Sequence, residues 1–201
     1  MIYLARTSAG VIVIDLGWIG AEATLRKELE ELVADAGDIA AVFLTHAHRD
    51  HIGGWRAVRG APFVVAAPEA GFLVGTGVHA DVFSQLAEGL LGQVGPAPDE
   101  VDVQTFSADT AFVFGADTLR AFVVPGHTPG SAAYLFREVL FVGDAMYGRW
   151  DGTITAPRRI FTTDQALAVA SITSLQQRIA PYRIRWVCTA HSRCAKYRKA
   201  R

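Results

Sequence analysis

Cysteine is the first scarcity: Cys188 and Cys194 are the only two in 201 residues. They are too few and too close for a disulfide framework, and no second pair completes a zinc knuckle, so a reducing compartment and two bystander thiols are expected. Long apolar runs are missing as well, since none approaches the ~20 residues a membrane helix requires. The opening MIYLARTSAGVIVIDLGW has no charged start followed by a long apolar core, because Arg6, Ser8 and Gly10 interrupt it and Asp15 follows. That speaks against an export signal and for the cytoplasm. Net charge is scarce too, at -1, which removes the broad cationic footprint of a nucleic-acid binder. The locally basic end from Arg193 to Arg201 reads as a solvated terminus.

What remains is enough for one core. With 51% hydrophobic residues over 201 positions, a single domain spanning 1–201 is expected. Short β-branched and aromatic runs alternate with helical patterns, which favours an α/β architecture. A helix is predicted over 21–34, where Leu25, Leu29, Leu32 and Val33 recur at the helical period and Gly37 follows as a stop. A second is predicted from about Ala80 to Leu91. A third runs from Asp164, as cap, to Ile179, with Ala168, Ile172 and Leu175 in its buried stripe and Pro181 beyond. The stretch from Gly71 to Asp109, rich in glycine, reads as an elaborated connection that shapes substrate access.

Five strand candidates share a further feature. VIVIDLG, AVFLTH, FVVPGH, LFVGD and RWVCTAH each run apolar and finish on a histidine or an aspartate. Strands buried on both faces hold such side chains rigidly, and sites of α/β sheets gather at that edge.

Histidine is also scarce, with six in the chain, yet three of them and Asp50 fall within the six residues from His46 to His51, in THAHRDHIGG. His46 and His48 are two apart at a strand end, so in extended backbone both face one ion. Asp50 and His51 follow a turn, just before IGGWRAV, where the glycines let a short helix begin. His127, Asp144 and His191 stand at the ends of three other apolar strands and extend the donor set. Imidazole and carboxylate without thiolate suit zinc first, with iron and manganese also admitted.

In this order, H-x-H-x-D-H followed by a His, an Asp and a final His, the chain resembles the metallo-β-lactamase superfamily from VIVIDLG to His191. The resemblance implies a four-layer αββα sandwich with two mixed sheets and a binuclear site at their edge. It assigns His46, His48 and His127 to a first ion, Asp50, His51 and His191 to a second, and Asp144 to a bridge. Asp15 is similar to the family's aspartate that orients a ligand from behind, with a simple turn aspartate as the alternative. His79 matches nothing in the pattern and reads as a surface residue.

The activity so implied is hydrolysis of an ester, lactone or thioester of a small molecule by a hydroxide held between two zinc ions, with Asp50 moving the proton. Tyr147, three residues after Asp144, resembles the tyrosine with which N-acyl homoserine lactone lactonases contact a carbonyl; a loop aromatic packing on a neighbour is its plain alternative. Glyoxalase II is also similar, but only ten residues follow His191, too few for its glutathione-binding helices. Other readings are a mononuclear iron persulfide dioxygenase, a nuclease of the same fold, and a non-catalytic metal-stabilised protein. The expected partner is a small-molecule substrate, with no nucleic acid, no membrane, and a homodimer as the candidate assembly.

Overall fold

The computed structural model describes residues 1–36, 38–78, 94–148 and 154–198, together with 85–86, 89–90 and 92. The helix expected over 80–91 falls largely outside the described residues, as does His79.

The first sheet runs in the order β1 (Tyr3–Thr7), β2 (Gly10–Ile14), β3 (Ile39–Phe43), β4 (Phe63–Ala66) and β5 (Val103–Phe106). Its first pair is antiparallel and the other three are parallel, so the sheet is mixed. The second sheet follows the order β13 (Ala195–Lys196), β12 (Trp186–Thr189), β9 (Val139–Gly143), β8 (Ala132–Phe136), β7 (Asp117–Val123) and β6 (Thr110–Phe114). Only β12 against β9 is parallel there. β10 (Tyr147–Gly148) and β11 (Ile154–Thr155) pair antiparallel as a separate two-stranded sheet. The helices are α1 (Glu22–Ala36), the short α2 (Arg49–Ile52) and α3 (Ala70–Leu73), and α4 (Gln165–Arg178).

Strand alternation builds the layers. In β2, Val11 and Val13 face α1 with Leu25 and Leu29, while Ile12 and Ile14 face the other sheet. The period of two thus feeds two cores from one fully buried strand. The central core joins Ile12, Ile14 and Phe43 to Leu119, Tyr134, Phe136 and Phe141 across the sheets. The outer face of the second sheet, with Phe122, Leu135, Leu140 and Val142, packs on Leu175 and Ile179 at the α4 side. Helix, sheet, sheet and helix therefore form the four-layer αββα sandwich that the family resemblance implies. Tyr134 donates its hydroxyl to the carbonyl of Leu44 at 2.7 Å, a buried bond between the sheets next to the THAHRDH segment.

Two expectations change. Cys188 and Cys194 are joined in a disulfide, closing a six-residue separation around His191, where two independent thiols were expected. The basic end is also not wholly a free tail, because Ala195 and Lys196 pair with Val187 and Trp186 as an edge strand. Both follow from one reversal after β12, which brings Cys194 back beside Cys188. Asp164 caps α4 as expected, accepting the Leu167 amide at 2.9 Å. No helix among the described residues is long and apolar enough to cross a membrane.

The start of α4 is clamped to the loop that carries His127. Asp164 N donates to Gly126 O at 2.9 Å, and Thr163 N donates to His127 O at 3.0 Å. Gly126 has φ +137, and a Cβ there would overlap the backbone nitrogen of Ala168. Gly126→Ala is therefore expected to lower stability by about 1–3 kcal/mol, the usual cost of overpacking. Urea denaturation checks this, and an unchanged midpoint would show that the loop can move off the helix.

Candidate metal centre

The site is assembled at the C-terminal ends of β3, β7, β9 and β12. All five strands singled out by their polar ends are present, and the fifth, β2, is followed directly by Asp15. Asp15 is 2% exposed and adopts φ 56, in the left-handed region. That turn aims its carboxylate back at β3. It accepts the Thr45 amide at 2.8 Å and the Thr45 hydroxyl at 2.9 Å. It also lies 2.9 Å from Nδ1 of His51. A proton on Nδ1 directs the lone pair of Nε2 into the site, the usual way a carboxylate sets the tautomer of a ligand. Asp15 is therefore far more than a turn residue.

The seven donors fall into two groups. His46, His48 and His127 form one, and Asp50, His51, Asp144 and His191 the other, with the donor atoms of each group within 4.8 Å of one another. Nε2 of His127 stands 3.2 Å from Nε2 of His46 and 3.2 Å from Nδ1 of His48. Around a tetrahedral zinc with bonds of 2.0–2.1 Å, neighbouring donors are about 3.3 Å apart, so the three nitrogens already have the spacing of a shared ion. In the second group, Nε2 of His191 lies 2.9 Å from Asp144 Oδ2 and 3.2 Å from Asp50 Oδ2. Nε2 of His51 is 3.7 Å from one oxygen of each aspartate and, though buried, makes no hydrogen bond among the described residues. A buried imidazole nitrogen aimed between two carboxylates suits a cation.

One local detail differs from expectation. The short helix starts at Arg49, not after His51, so Asp50 and His51 sit on its first turns. The backbone leaves the extended conformation directly after His48, which turns the second pair of donors away from the first.

The electrostatics draw positive charge into this pocket. Burial tends to raise Asp50, yet its hydrogen bond to His191 and the nearby His51 bring its pKa down to about 2. Asp144 is pushed well below the usual carboxylate range, since contacts with His191 and His51 outweigh its desolvation. His191 rises to about 9 through hydrogen bonds to Asp144 and Asp50. His51 is held well above its ordinary value because Asp15 and Asp144 outweigh its burial. Carboxylates that stay ionised to low pH, packed against imidazoles, are a strong site for divalent ions.

A further supporting residue, Glu69, was not anticipated. It follows β4, is 0% exposed, and accepts the Ala47 amide through Oε2 and the Gly130 amide through Oε1, both at 2.8 Å. Burial raises its pKa, opposed by Thr128 and these two amides. One carboxylate thus fixes the chain between His46 and His48 and the loop after His127. Gly130 permits the approach, since a Cβ there would meet Glu69 Cγ at 2.7 Å. The available signal was the run VVAAPE, a sixth apolar strand closing on an acid.

Both donor groups open onto a cleft of about 470 Å³, also lined by Trp18, Arg49, Tyr147, Arg158 and Phe161. Tyr147 stacks near His191, with ring centroids 6.4 Å apart and planes at 20°.

Comparison with known proteins agrees with this geometry. Residues 1–191 match the family described as the metallo-beta-lactamase superfamily. The chain belongs to that superfamily. A hydroxyacylglutathione hydrolase of Shewanella sp. (strain ANA-3) is 30% identical over 126 residues, which are 63% of this chain and 42% of that enzyme. The chain thus matches less than half of that relative's length. Among solved structures, the BLEG-1 B3 metallo-beta-lactamase superposes with a TM-score of 0.70 at 26% identity, covering 97% of this chain and 88% of the other. TTHA1623 in a di-iron-bound form gives 0.68 at 22% identity, with coverage of 97% and 88%, a likeness of fold.

The role of Glu69 can be tested directly. Glu69→Gln keeps the shape but cannot accept both amides, so the His46, His48 and His127 group should lose about 10- to 100-fold in metal affinity. Competition with a chelator measures it, with circular dichroism confirming the fold. Unchanged affinity would leave Glu69 as a core polar group without influence on the ligands.

Proposed function

We propose that the chain is a metal-dependent hydrolase that cleaves an ester, lactone or thioester of a small molecule, using two ions. The observation that carries this reading is the pair of adjacent donor groups at the floor of one cleft. His46, His48 and His127 would hold one ion, and Asp50, His51 and His191 the other, with Asp144 reaching both. Zinc suits the imidazole and carboxylate set best, and iron also fits. When bound, such ions lower the pKa of a water to roughly 7 and polarise a carbonyl oxygen.

The chain's own groups supply the rest. Asp50 lies on the cleft wall among the second group of donors, where its carboxylate could take the proton of an attacking water and return it to the leaving group. Asp15 holds His51 in one tautomer and so keeps the site from reorganising during the reaction. Burial and the Asp144 charge raise the pKa of Tyr147, which therefore remains a phenol and a hydrogen-bond donor at neutral pH. Its place beside His191 on the cleft wall suits contact with the substrate carbonyl.

Lactones, thioesters, simple esters, phosphodiesters and β-lactams should be screened with metal-loaded protein. Hydrolysis of an acyl compound supports the reading, and sulfur oxidation with one iron per chain would replace it. On the acyl substrate found, Tyr147→Phe should keep both ions and lose turnover, by 10²- to 10³-fold at most, about 3–4 kcal/mol. Asp50→Asn should fall further and bind metal more weakly. Unchanged kinetics for Tyr147→Phe would remove Tyr147 from the reaction.

A further inference from the structure

The seven donors are not held alike. His46, His51, His127 and Asp144 are buried, whereas His191 has 47% of its side chain in water and is the one exposed residue of the seven. Its Nε2 meets fellow donors, Asp144 and Asp50, and among the described residues nothing hydrogen-bonds its Nδ1. In His51 that place is taken by Asp15. A restraint other than a buried acid therefore has to set the direction of the His191 ring.

The chain on either side of His191 carries that restraint. β12 ends at Thr189 and β13, only two residues long, begins at Ala195, so His191 lies on the turn between them. The way in is anchored: the Ala190 amide donates to Gly143 O at 3.2 Å and the Tyr3 hydroxyl to Thr189 O at 2.8 Å. The hydroxyls of Thr189 and Ser192, 2.5 Å apart, cross the turn. The way out is held by the pairs Val187 with Ala195 and Trp186 with Lys196, by the Tyr197 amide on Arg185 O at 2.9 Å, and by the disulfide. Cys188 is buried in the central core and Cys194 is exposed, each three residues from His191. The bond thus closes a ring around this donor with one end fixed in the core, and a short covalent loop leaves few conformations to the residues inside it. Without it, the return would rest on a two-residue strand at the margin of the sheet, where local opening costs least.

We infer that the Cys188–Cys194 disulfide is the positioning element of His191, so that its reduction by a dithiol loosens the second ion and leaves the first in place. One thiolate of the dithiol attacks Sγ of the exposed Cys194, the sulfur–sulfur bond breaks, and Cys188 leaves as a thiolate that takes up a proton. The second thiol then displaces Cys194 from the mixed disulfide. Two electrons and two protons pass to the chain, and the dithiol departs as a cyclic disulfide. The group of His46, His48 and His127 lies on other elements, with Glu69 behind it, and is untouched. The chain then holds both ions tightly only under oxidising conditions. This rests on the two-ion reading above and not on which bond is cleaved.

The test reads metal binding and not turnover. His127→Ala isolates the second site and His51→Ala the first. Each is prepared oxidised, and also reduced with dithiothreitol that is then removed by anaerobic gel filtration, with thiol titration of the denatured chain confirming the state of both cysteines. Zinc affinity, measured by competition with a chelator, should fall by about 10- to 100-fold on reduction of His127→Ala and stay unchanged in His51→Ala. Reoxidation with diamide should restore it. In the chain with all seven donors, reduction should leave one tight ion and one weakened ion, and Cys194→Ser should do the same with unchanged circular dichroism. Cys194 is exposed, so that substitution opens no cavity in the core.

Equal affinity of the second site in the oxidised and reduced states would overturn the inference and leave the two-ion reading standing. A single ion in the oxidised chain with all seven donors would remove that reading and the inference with it. Loss of metal from both sites together, or loss of the circular dichroism signal on reduction, would make the disulfide a support for the whole fold and overturn the inference. Thiolate-to-metal charge transfer in the reduced chain loaded with cobalt would make the cysteines ligands and overturn it too. Thiols that stay free in the presence of diamide would overturn it at the first step.

Discussion

The buried carboxylate of Asp15 is the constraint around which the site is organised. A carboxylate at 2% exposure is costly unless its oxygens are satisfied, and here the Thr45 amide, the Thr45 hydroxyl and the His51 imidazole meet it. Those partners lie on the end of β3 and on α2, so one desolvated charge fixes both halves of the THAHRDH segment. The Thr45 carbonyl in turn accepts the Ala132 amide at 2.8 Å at the start of β8. The first sheet, the second sheet and the donor segment are therefore tied at a single corner.

Glu69 repeats the principle on the opposite side of the donors. Its two oxygens hold the backbone on either side of the His46, His48 and His127 group, while Asp15 acts on His51 of the other group. Each set of donors thus has its own buried acid behind it. The disulfide adds a covalent restraint to the remaining arm, since Cys188 and Cys194 bracket His191. Rigid donors lose little entropy when an ion binds, which is how a scaffold contributes to affinity and to selection among metals.

Much of this was legible in the amino-acid order because the strands are buried on both faces. Continuous apolar runs such as VIVI and LFVG mark such strands, and the polar residue that ends each one has to lie at the sheet edge. The two helices α1 and α4 were equally readable from their periodic apolar residues, and α4 also from Asp164 as a cap. Residues that act through the meeting of distant loops were not readable in this way. Glu69 looks like an ordinary acid after a Pro, and only the approach of Gly130, 61 positions away, explains its burial. Arg158 and Trp18 are separated by most of the chain, and neither carries a local pattern that points to a cleft. The Cys188 and Cys194 pair was misread because spacing alone does not reveal that the chain reverses after β12 and returns beside itself.

The central claim is that the seven donors form two adjacent cation sites held by buried carboxylates. Titration of chelator-stripped protein with zinc or cobalt, followed by calorimetry and by elemental analysis after gel filtration, tests it most directly. Two ions per chain are predicted, with His127→Ala retaining one and His51→Ala retaining the other. Saturation at a single ion in the wild-type chain, or loss of all metal from either variant alone, would contradict the account.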